Sequence, residues 1–174
     1  MDLGLFDLER FRRAQNDPRA GFATALHELT SGRKSTHWIW YVFPQLAGLG
    51  RSPTAVHFGL HGAEEAVEYL RDPILGERLV GAAAAVRAQL GQGHKMRLEE
   101  LMGSRIDALK LVSCMTLFQY VAKAGATDPR SRFATMAEHA DAILAVAAAQ
   151  GYDRCTFTDE CLHLRDSAKG SESE

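Results

Sequence analysis

Two stretches of the chain carry polar side chains that the packing of a hydrophobic core does not require. The first stretch, residues 32–50, reads GRKSTHWIWYVFPQLAGLG and combines cations, a histidine, aromatic rings and three glycines. Cations neutralise phosphate and flat rings stack on a base, so this mixture is typical of a site for a phosphorylated ring compound. The candidate for proton transfer is His37. The candidate ligand-binding residues of this stretch are Arg33, Lys34, Trp38, Trp40 and Gln45, with Arg51 and Ser52 alongside.

The second stretch is DALKLVSCMTLF, residues 107–118. On a helix, Lys110, Ser113 and Thr116 form a polar ridge on an otherwise apolar element, because they lie three residues apart. A buried lysine without a partner is costly, so Lys110 needs solvent, an acidic partner or an anionic ligand. All three are therefore candidate ligand-binding residues. Glu65 is a candidate partner for Lys110 or a candidate base.

A structural interpretation stands beside each of these assignments. The aromatic residues are also typical of a core. His37 could have a structural role, in which its ring donates a hydrogen bond to a carbonyl. Cys114 lies within an apolar helix, which disfavours the thiolate that a nucleophile needs. His57 and His61 have the spacing of metal ligands on a helix, but nearby glycines oppose a helix there. We therefore predict no metal site, and no cofactor is implied.

Composition limits the classes of function. A chain of 174 residues, 46% of them apolar, is typical of one soluble globular domain. The net charge of −2 disfavours nucleic acid as a partner, because binding along a phosphate backbone needs a basic face. There is no secretory pattern at the start, and no apolar run approaches the roughly 20 residues that cross a membrane. With three cysteines that lack metal-ligand spacing, these features predict a cytoplasmic protein without membrane contact.

Helical periodicity dominates the chain, and one segment alone has strand propensity. That segment, WIWYVF, has no second strand to pair with, so we predict a helix that begins near Ser35 or Thr36 and breaks at Pro44. Such a helix would point its first backbone NH groups, with Arg33 and Lys34, at an anion. The predicted fold class is all-α: a compact multihelical single domain of about six to eight helices over residues 1–165. The polar residues 166–174 are predicted to form a disordered tail.

Four segments in order carry a resemblance to a known family: RFRRAQ, the long run ALHELTSGRKSTHWIWYVFPQLAGLGRSPTAVHFGL, EEAVEYLRDPILGERL and DALKLVSCMTLF. They resemble an all-helical family of uncharacterised, mostly bacterial proteins often labelled "calpastatin". The resemblance implies a compact multihelical domain of bacterial cytoplasm and brings no activity with it. Nothing in the chain points to a protease inhibitor. Its motif falls on the candidate residues above, and this chain departs from it at Thr36, Ile39, Phe58 and Cys114.

Two functions remain open on these residues. In the first, the protein binds or hydrolyses a phosphorylated, nucleotide-like or ADP-ribose-like small molecule. In the second, it is a non-catalytic protein-interaction or regulatory module whose motif is structural core. Whether it is an enzyme is left open. The two readings differ in whether the His37 stretch and the Lys110 helix face one another across an open cavity.

Overall fold

The computed structural model describes residues 6–91 and 96–170, the last seven of these by their backbone. Within these ranges the chain forms helices and no strand, which confirms the all-α fold class. The helices are α1 (Glu9–Gln15), α2 (Phe22–Thr30), α3 (Ile39–Val42), α4 (Pro53–Phe58), α5 (Ala63–Arg71), α6 (Leu75–Leu90), α7 (Leu98–Met102), α8 (Arg105–Gly125), α9 (Arg132–Ala149) and α10 (Thr156–Gly170).

The long helix α8 lies at the centre of the fold. Its N-cap is Ser104, whose hydroxyl accepts a hydrogen bond from the backbone NH of Asp107. All residues from 111 to 118 are buried, because α8 packs against α5, α7, α9 and α10 on different sides. A helix that is apolar all round belongs inside a domain. Polar groups near its N-terminal end therefore stand out, since the middle of the helix is buried and its ends reach the surface.

The segment around the tryptophans forms less helix than predicted. We expected a helix from Ser35 or Thr36 to Pro44, whereas α3 is a single turn that begins at Ile39. The reason is the carboxylate of Glu28 at the end of α2. It accepts hydrogen bonds from the backbone NH groups of Ser35 (2.8 Å) and Thr36 (3.1 Å) and from the Thr36 hydroxyl (2.8 Å). These NH groups bind a carboxylate of the protein itself. The prediction that they bind the anion of a ligand is therefore wrong.

A short helix that the sequence did not predict follows the tryptophan segment. The hydroxyl of Ser52 accepts from the NH of Ala55 (3.1 Å), and Pro53 occupies the first turn of α4. The helix ends at Phe58, before Gly59. With α3 and α4, the described residues form ten helices, more than the six to eight expected, because several of them, α3, α4 and α7 included, are only one or two turns long.

The last helix reaches into the segment predicted as a disordered tail. α10 continues to Gly170, so residues 166–170 are helical, and residues 171–174 lie outside the described ranges. A polar sequence can extend a helix that has already been nucleated upstream, since adding a residue is cheaper than starting a helix. In the described part of the chain, no helix combines the length and apolar character that crossing a membrane requires.

Candidate functional site

The two polar stretches meet at one open pocket of about 360 Å³. It lies between the chain that follows α3 and the first turns of α8. Four of the predicted site residues line it: Trp40, Gln45, Lys110 and Ser113. The other lining residues are Leu49, Gly50, Arg51, Ser52, Ala55, Ile106 and Leu109.

Backbone pairing and glycines shape one wall of this pocket. Residues 45–47 run beside Leu60, with Ala47 N donating to Leu60 O (2.8 Å) and Leu60 N donating to Gln45 O (3.0 Å). The chain then turns back through Gly50 toward α4. A Cβ at Gly50 would lie 2.5 Å from the Cβ of Ala55, closer than atoms can approach. Glycine at this position lets the loop close against α4 and form the pocket wall.

A shared carboxylate connects the two stretches. Asp107 pairs with Nζ of Lys34 (2.7 Å) through one oxygen and with Nζ of Lys110 (3.0 Å) through the other. Burial raises the pKa of Asp107, but the hydrogen bonds and charges of both lysines outweigh it, so the pKa is lowered overall. The aspartate is therefore ionised at neutral pH. One aspartate between two lysines leaves one positive charge in excess, and the exposed Arg51 adds another at the pocket.

Lys110 is held in place from two sides. Its ammonium lies 4.1 Å from the centre of the Trp40 ring, while Asp107 holds it by the hydrogen bond. Ser113 stands one turn further along α8, and its hydroxyl donates to Leu109 O (3.0 Å). The oxygen of that hydroxyl keeps the capacity to accept from a ligand. The pocket thus combines cations, a hydroxyl, an amide and one side of an indole.

Trp38 belongs to the core. It is fully buried, and its indole Nε1 donates to the Glu28 carboxylate (2.8 Å). Burial raises the pKa of Glu28, but the donors from Ser35, Trp38 and Thr36 together lower it below its usual value. Trp38 and Glu28 therefore fix the shape of the segment that leads to Trp40, and the side chain of Trp38 does not line the pocket.

Thr116 also points away from the pocket. It is fully buried, donates to Val112 O (2.8 Å) and accepts from the backbone NH of Cys155 (3.3 Å). That contact anchors the chain that leads into α10. Lys34 is buried as well, and besides pairing with Asp107 it donates to Thr36 O (2.6 Å). Lys34 thus holds Asp107, which also holds Lys110, whereas Thr116 holds the chain that precedes α10.

His37 and Arg33 lie outside the pocket. Both are exposed, and neither is among the residues that line it. The carboxylate that we considered as a partner for Lys110, Glu65, instead pairs with Arg10 (2.7 Å) and with His61 (3.0 Å). The expectation that it partners Lys110 is wrong, because Glu65 lies on α5 and faces α1.

Sequence reasoning missed the two carboxylates on which the site depends. The signal for Asp107 was present, since it stands three residues before Lys110 on the same helix, a spacing at which charged side chains pair. No local signal marks Glu28, whose partners lie seven to ten residues further along the chain. The exposed apolar residues Ile106 and Leu109 at the pocket were also missed.

The described part of the chain contains no cluster of metal ligands, and the candidate nucleophile Cys114 is buried. There, no group of three or more histidine, cysteine or acidic side chains is arranged to hold a metal ion. His57 lies in the last turn of α4, whereas His61 comes after the end of that helix. The two residues therefore do not share a helical face. Cys114 is fully buried, and burial raises the pKa of its thiol well above the usual value.

Residues 5–139 match the family described as "Protein of unknown function (DUF1810)". The chain belongs to this family. The matched region contains every residue that lines the Trp40 and Lys110 pocket, whereas α10 lies beyond it. The "calpastatin" label carried by sequences that this chain resembles is not confirmed.

A solved structure is similar to this chain over nearly its whole length. It is described as the conserved hypothetical protein Rv1873 from Mycobacterium tuberculosis. The two chains are 36% identical with a TM-score of 0.68, over 91% of this chain and 97% of the other. A search of curated proteins found no significant match. These comparisons establish an all-helical family, and the activity has to be argued from the pocket.

Proposed function

We propose that this protein binds a phosphorylated small molecule with a planar ring, such as a nucleotide or an ADP-ribose-like group, in the Trp40 and Lys110 pocket. The observation that supports this most directly is the convergence of Trp40 from α3 and Lys110 from α8 on one open cavity. These residues are 70 positions apart in the sequence. If each residue contributed only to the packing of its own helix, there would be no reason for both side chains to line the same cavity.

The charges of the pocket favour an anion. Lys110 and Arg51 line it, and Asp107 is shared with Lys34, so positive charge remains in excess. Lysine and arginine bind phosphate through charge-assisted hydrogen bonds, which are about twice as strong as neutral ones. The phosphate would therefore contact Lys110 and Arg51.

The remaining lining suits the rest of such a ligand. Ligand pockets usually measure about 300–1,000 Å³ and combine apolar walls with a few polar groups, and this pocket lies within that range at about 360 Å³. The ring would stack near Trp40, while Gln45 and Ser113 would hydrogen-bond to a sugar or base. Arg33, Lys34, Trp38 and Thr116 would act indirectly, by shaping this segment or holding Asp107.

We propose binding rather than hydrolysis for this pocket. The described side chains that line it include no histidine, and His37, our candidate for proton transfer, is exposed elsewhere on the surface. A general base must come within hydrogen-bond reach of the proton that it removes. A catalytic role for His37 is a separate prediction, tested by whether His37→Ala changes turnover of a ligand that binds here.

Calorimetric titration with ADP-ribose, AMP, adenosine and inorganic phosphate tests the proposal. We expect the phosphorylated ring compounds to bind more tightly than either adenosine or phosphate alone. Lys110→Met should weaken ADP-ribose binding about tenfold or more, because a charge-assisted hydrogen bond is lost. The matched control is Lys123→Met, which removes an exposed lysine from the far end of the same helix and should leave binding unchanged. Absence of binding by all four compounds would refute the proposal.

A second candidate function is supported by the apolar rim of the same pocket. Ile106 and Leu109, which line the pocket, are 67% and 43% exposed on the first turns of α8. Adjacent exposed apolar side chains often mark a protein-interaction surface. The double variant Ile106→Ser/Leu109→Ser tests the second function, under which it should lose capture of a protein partner. Because both residues also line the pocket, its ADP-ribose affinity is compared with that of Lys110→Met, and under the first proposal the loss should be smaller than in Lys110→Met.

A further inference from the structure

A second pocket, of about 480 Å³, lies where the start of the described chain and α1 meet the segment between α4 and α5. It shares no lining residue with the Trp40 and Lys110 pocket. Its lining contains two imidazoles, a guanidinium and two carboxylates beside an aromatic ring: Phe6, Asp7, Arg10, His57, His61 and Glu65. The proposed function uses none of these groups.

The carboxylate of Glu65 determines the state of the His61 ring. Glu65 is 1% exposed and pairs with Arg10 through Oε1 (2.7 Å). Its Oε2 is 2.8 Å from the backbone NH of His61 and 3.0 Å from ring Nδ1. An ionised carboxylate only accepts hydrogen bonds, so Nδ1 carries the hydrogen. In the neutral imidazole the lone pair therefore resides on Nε2.

The reactive nitrogen of this ring is accessible. The side chain of His61 is 68% exposed, although its partner Glu65 is buried. A buried carboxylate that orients an exposed imidazole through Nδ1 is the arrangement that activates histidine as a base or nucleophile. The hydrogen bond from the backbone NH of His61 to the same oxygen fixes the position of His61 relative to Glu65.

The pocket disfavours anionic reactants. The guanidinium of Arg10 is committed to the protein: besides Glu65, it donates to the backbone carbonyls of His57 (2.9 Å), Gly59 (3.1 Å) and Asp7. Its side chain is nearly buried. The exposed carboxylate of Asp7 then adds negative charge at the pocket. The carboxylate of Asp7 would repel a phosphate group, and the guanidinium of Arg10 is not free to neutralise that phosphate.

We propose that His61 is a nucleophile for acyl transfer from small, neutral acyl donors. Nε2 forms a bond to the carbonyl carbon, and the bond to the leaving group breaks with the electron pair going to that group. The acyl-imidazole keeps its hydrogen on Nδ1 and carries a positive charge, which the Glu65 carboxylate stabilises. Water then adds to the acyl carbon, the carboxylic acid departs to restore the neutral imidazole, and the proton that the water releases passes to the leaving-group anion. Glu65 is a positioning residue in this scheme.

Labelling with diethyl pyrocarbonate, a neutral acyl donor, tests this inference on the intact protein. The rate at each histidine is read by mass spectrometry of peptides, and the exposed His37 serves as the internal reference. We expect His61 to react about tenfold faster than His37, because Glu65 accepts the hydrogen of Nδ1 and leaves the lone pair on Nε2 to attack. Equal rates at the two residues would overturn the proposal. This comparison needs no variant.

Two further measurements separate activation from simple exposure. Glu65→Gln keeps the shape of the side chain but removes its charge, so the His61 rate should fall toward the His37 rate, which should not change. If the ratio of the His61 rate to the His37 rate is unchanged in a variant that still folds, Glu65 does not activate His61. Labelling with phosphoramidate, an anionic phosphoryl donor, should show no preference for His61; a strong preference would reject the neutral acyl class. The labelling is done without any nucleotide-like ligand, so its result is independent of binding at the Trp40 and Lys110 pocket. Lys123→Met, which removes a lysine outside both pockets, should label as the unmodified chain does.

Discussion

The ammonium nitrogen of Lys110 lies 4.1 Å from the centre of the Trp40 ring, at the wall of the proposed ligand pocket. A cation over an indole contributes about 0.5–1 kcal/mol at an exposed site. Asp107 holds the same ammonium from the other side by a 3.0 Å hydrogen bond. Because the lysine is already ordered, it loses less conformational entropy when a phosphate binds.

Trp40 should distinguish the ring of a ligand from its phosphate. We expect Trp40→Leu to weaken ADP-ribose and AMP about tenfold, because stacking of a base on an aromatic ring is worth about 1–3 kcal/mol. Binding of inorganic phosphate should change little. Calorimetric titration of both ligand types measures the difference. A loss of equal size for AMP and phosphate would show that Trp40 serves only to place Lys110.

Trp38 should govern stability rather than binding. Trp38→Phe removes the indole donor to Glu28 and leaves a partly empty site in the core, so unfolding should cost about 1–3 kcal/mol less. Urea denaturation measures this change. Trp40→Phe is the matched control and should cost less than about 1 kcal/mol, because Trp40 is only partly buried and has no such acceptor. Similar losses in both variants would contradict the different roles assigned to the tryptophans.

Acid should destabilise the protein in part through the carboxylates of Glu28 and Asp107. The folded-state pKa of Glu28 lies below its usual 4.5, and that of Asp107 lies below its usual 3.8. A lowered folded-state pKa means that the stabilisation is complete above the usual value and is lost as the pH falls through the folded value. The unfolding free energy should therefore decrease as the pH falls below about 4.5.

Glu28→Gln tests the source of this acid sensitivity. The variant should be less stable at pH 7, and its unfolding free energy should change less between pH 6 and pH 3 than that of the unmodified chain, since one titrating group has been removed. Urea denaturation across this range provides the measurement. Parallel pH profiles for the two proteins would exclude Glu28 as a contributor.

Asp107 and Lys34 should be strongly coupled. The Lys34 side chain is 5% exposed, so Asp107→Asn leaves a buried ammonium without its charge partner and should lower the unfolding free energy by about 3 kcal/mol. The double variant Lys34→Met/Asp107→Asn should recover most of this loss, because the buried charge is gone. A double-mutant cycle by chemical denaturation measures the coupling. Additive losses would mean that the two side chains do not stabilise one another.

Gly103 should be required where α7 turns toward α8. Its φ of +77° favours glycine, and a Cβ there would lie 2.6 Å from the backbone oxygen of Lys34. Gly103→Ala should therefore destabilise the fold by about 1–3 kcal/mol. Gly151→Ala is the control, because its φ is similar at +84° but nothing lies within 4 Å of an added Cβ. Thermal unfolding should show the larger loss at Gly103, and equal losses would mean that the contact with Lys34 is unimportant.

The regular helices were predictable because their signals are local. The apolar spacing of α5, α6, α8 and α9 and the glycines near several helix ends can be read within a window of a few turns. The same local rules predicted too long a helix around Ile39, since they do not include a carboxylate from α2. They also left out α4, where a proline and a serine cap begin a helix that a glycine soon ends.

The candidate site was predictable in part. Periodicity placed Lys110 and Ser113 on one ridge of α8, and both line the pocket. The same ridge includes Thr116, but the chain before α10 covers it. Glu65 was considered as the acidic partner of Lys110, but its carboxylate pairs with Arg10 and His61 instead. Spacing along a helix says which residues share a face, and it does not say which other element will cover that face.

An all-α domain was predictable from the sequence, because hydrophobic periodicity and helix stop signals act within a few residues. Which parts of the motif surround a pocket and which form the core depends on contacts between distant elements, so this became clear from the fold. Glu28 takes the NH groups that were expected to bind a ligand, and Asp107 joins two lysines that lie 76 residues apart. A buried charge takes the partners that folding brings within hydrogen-bond distance, whatever their separation along the chain.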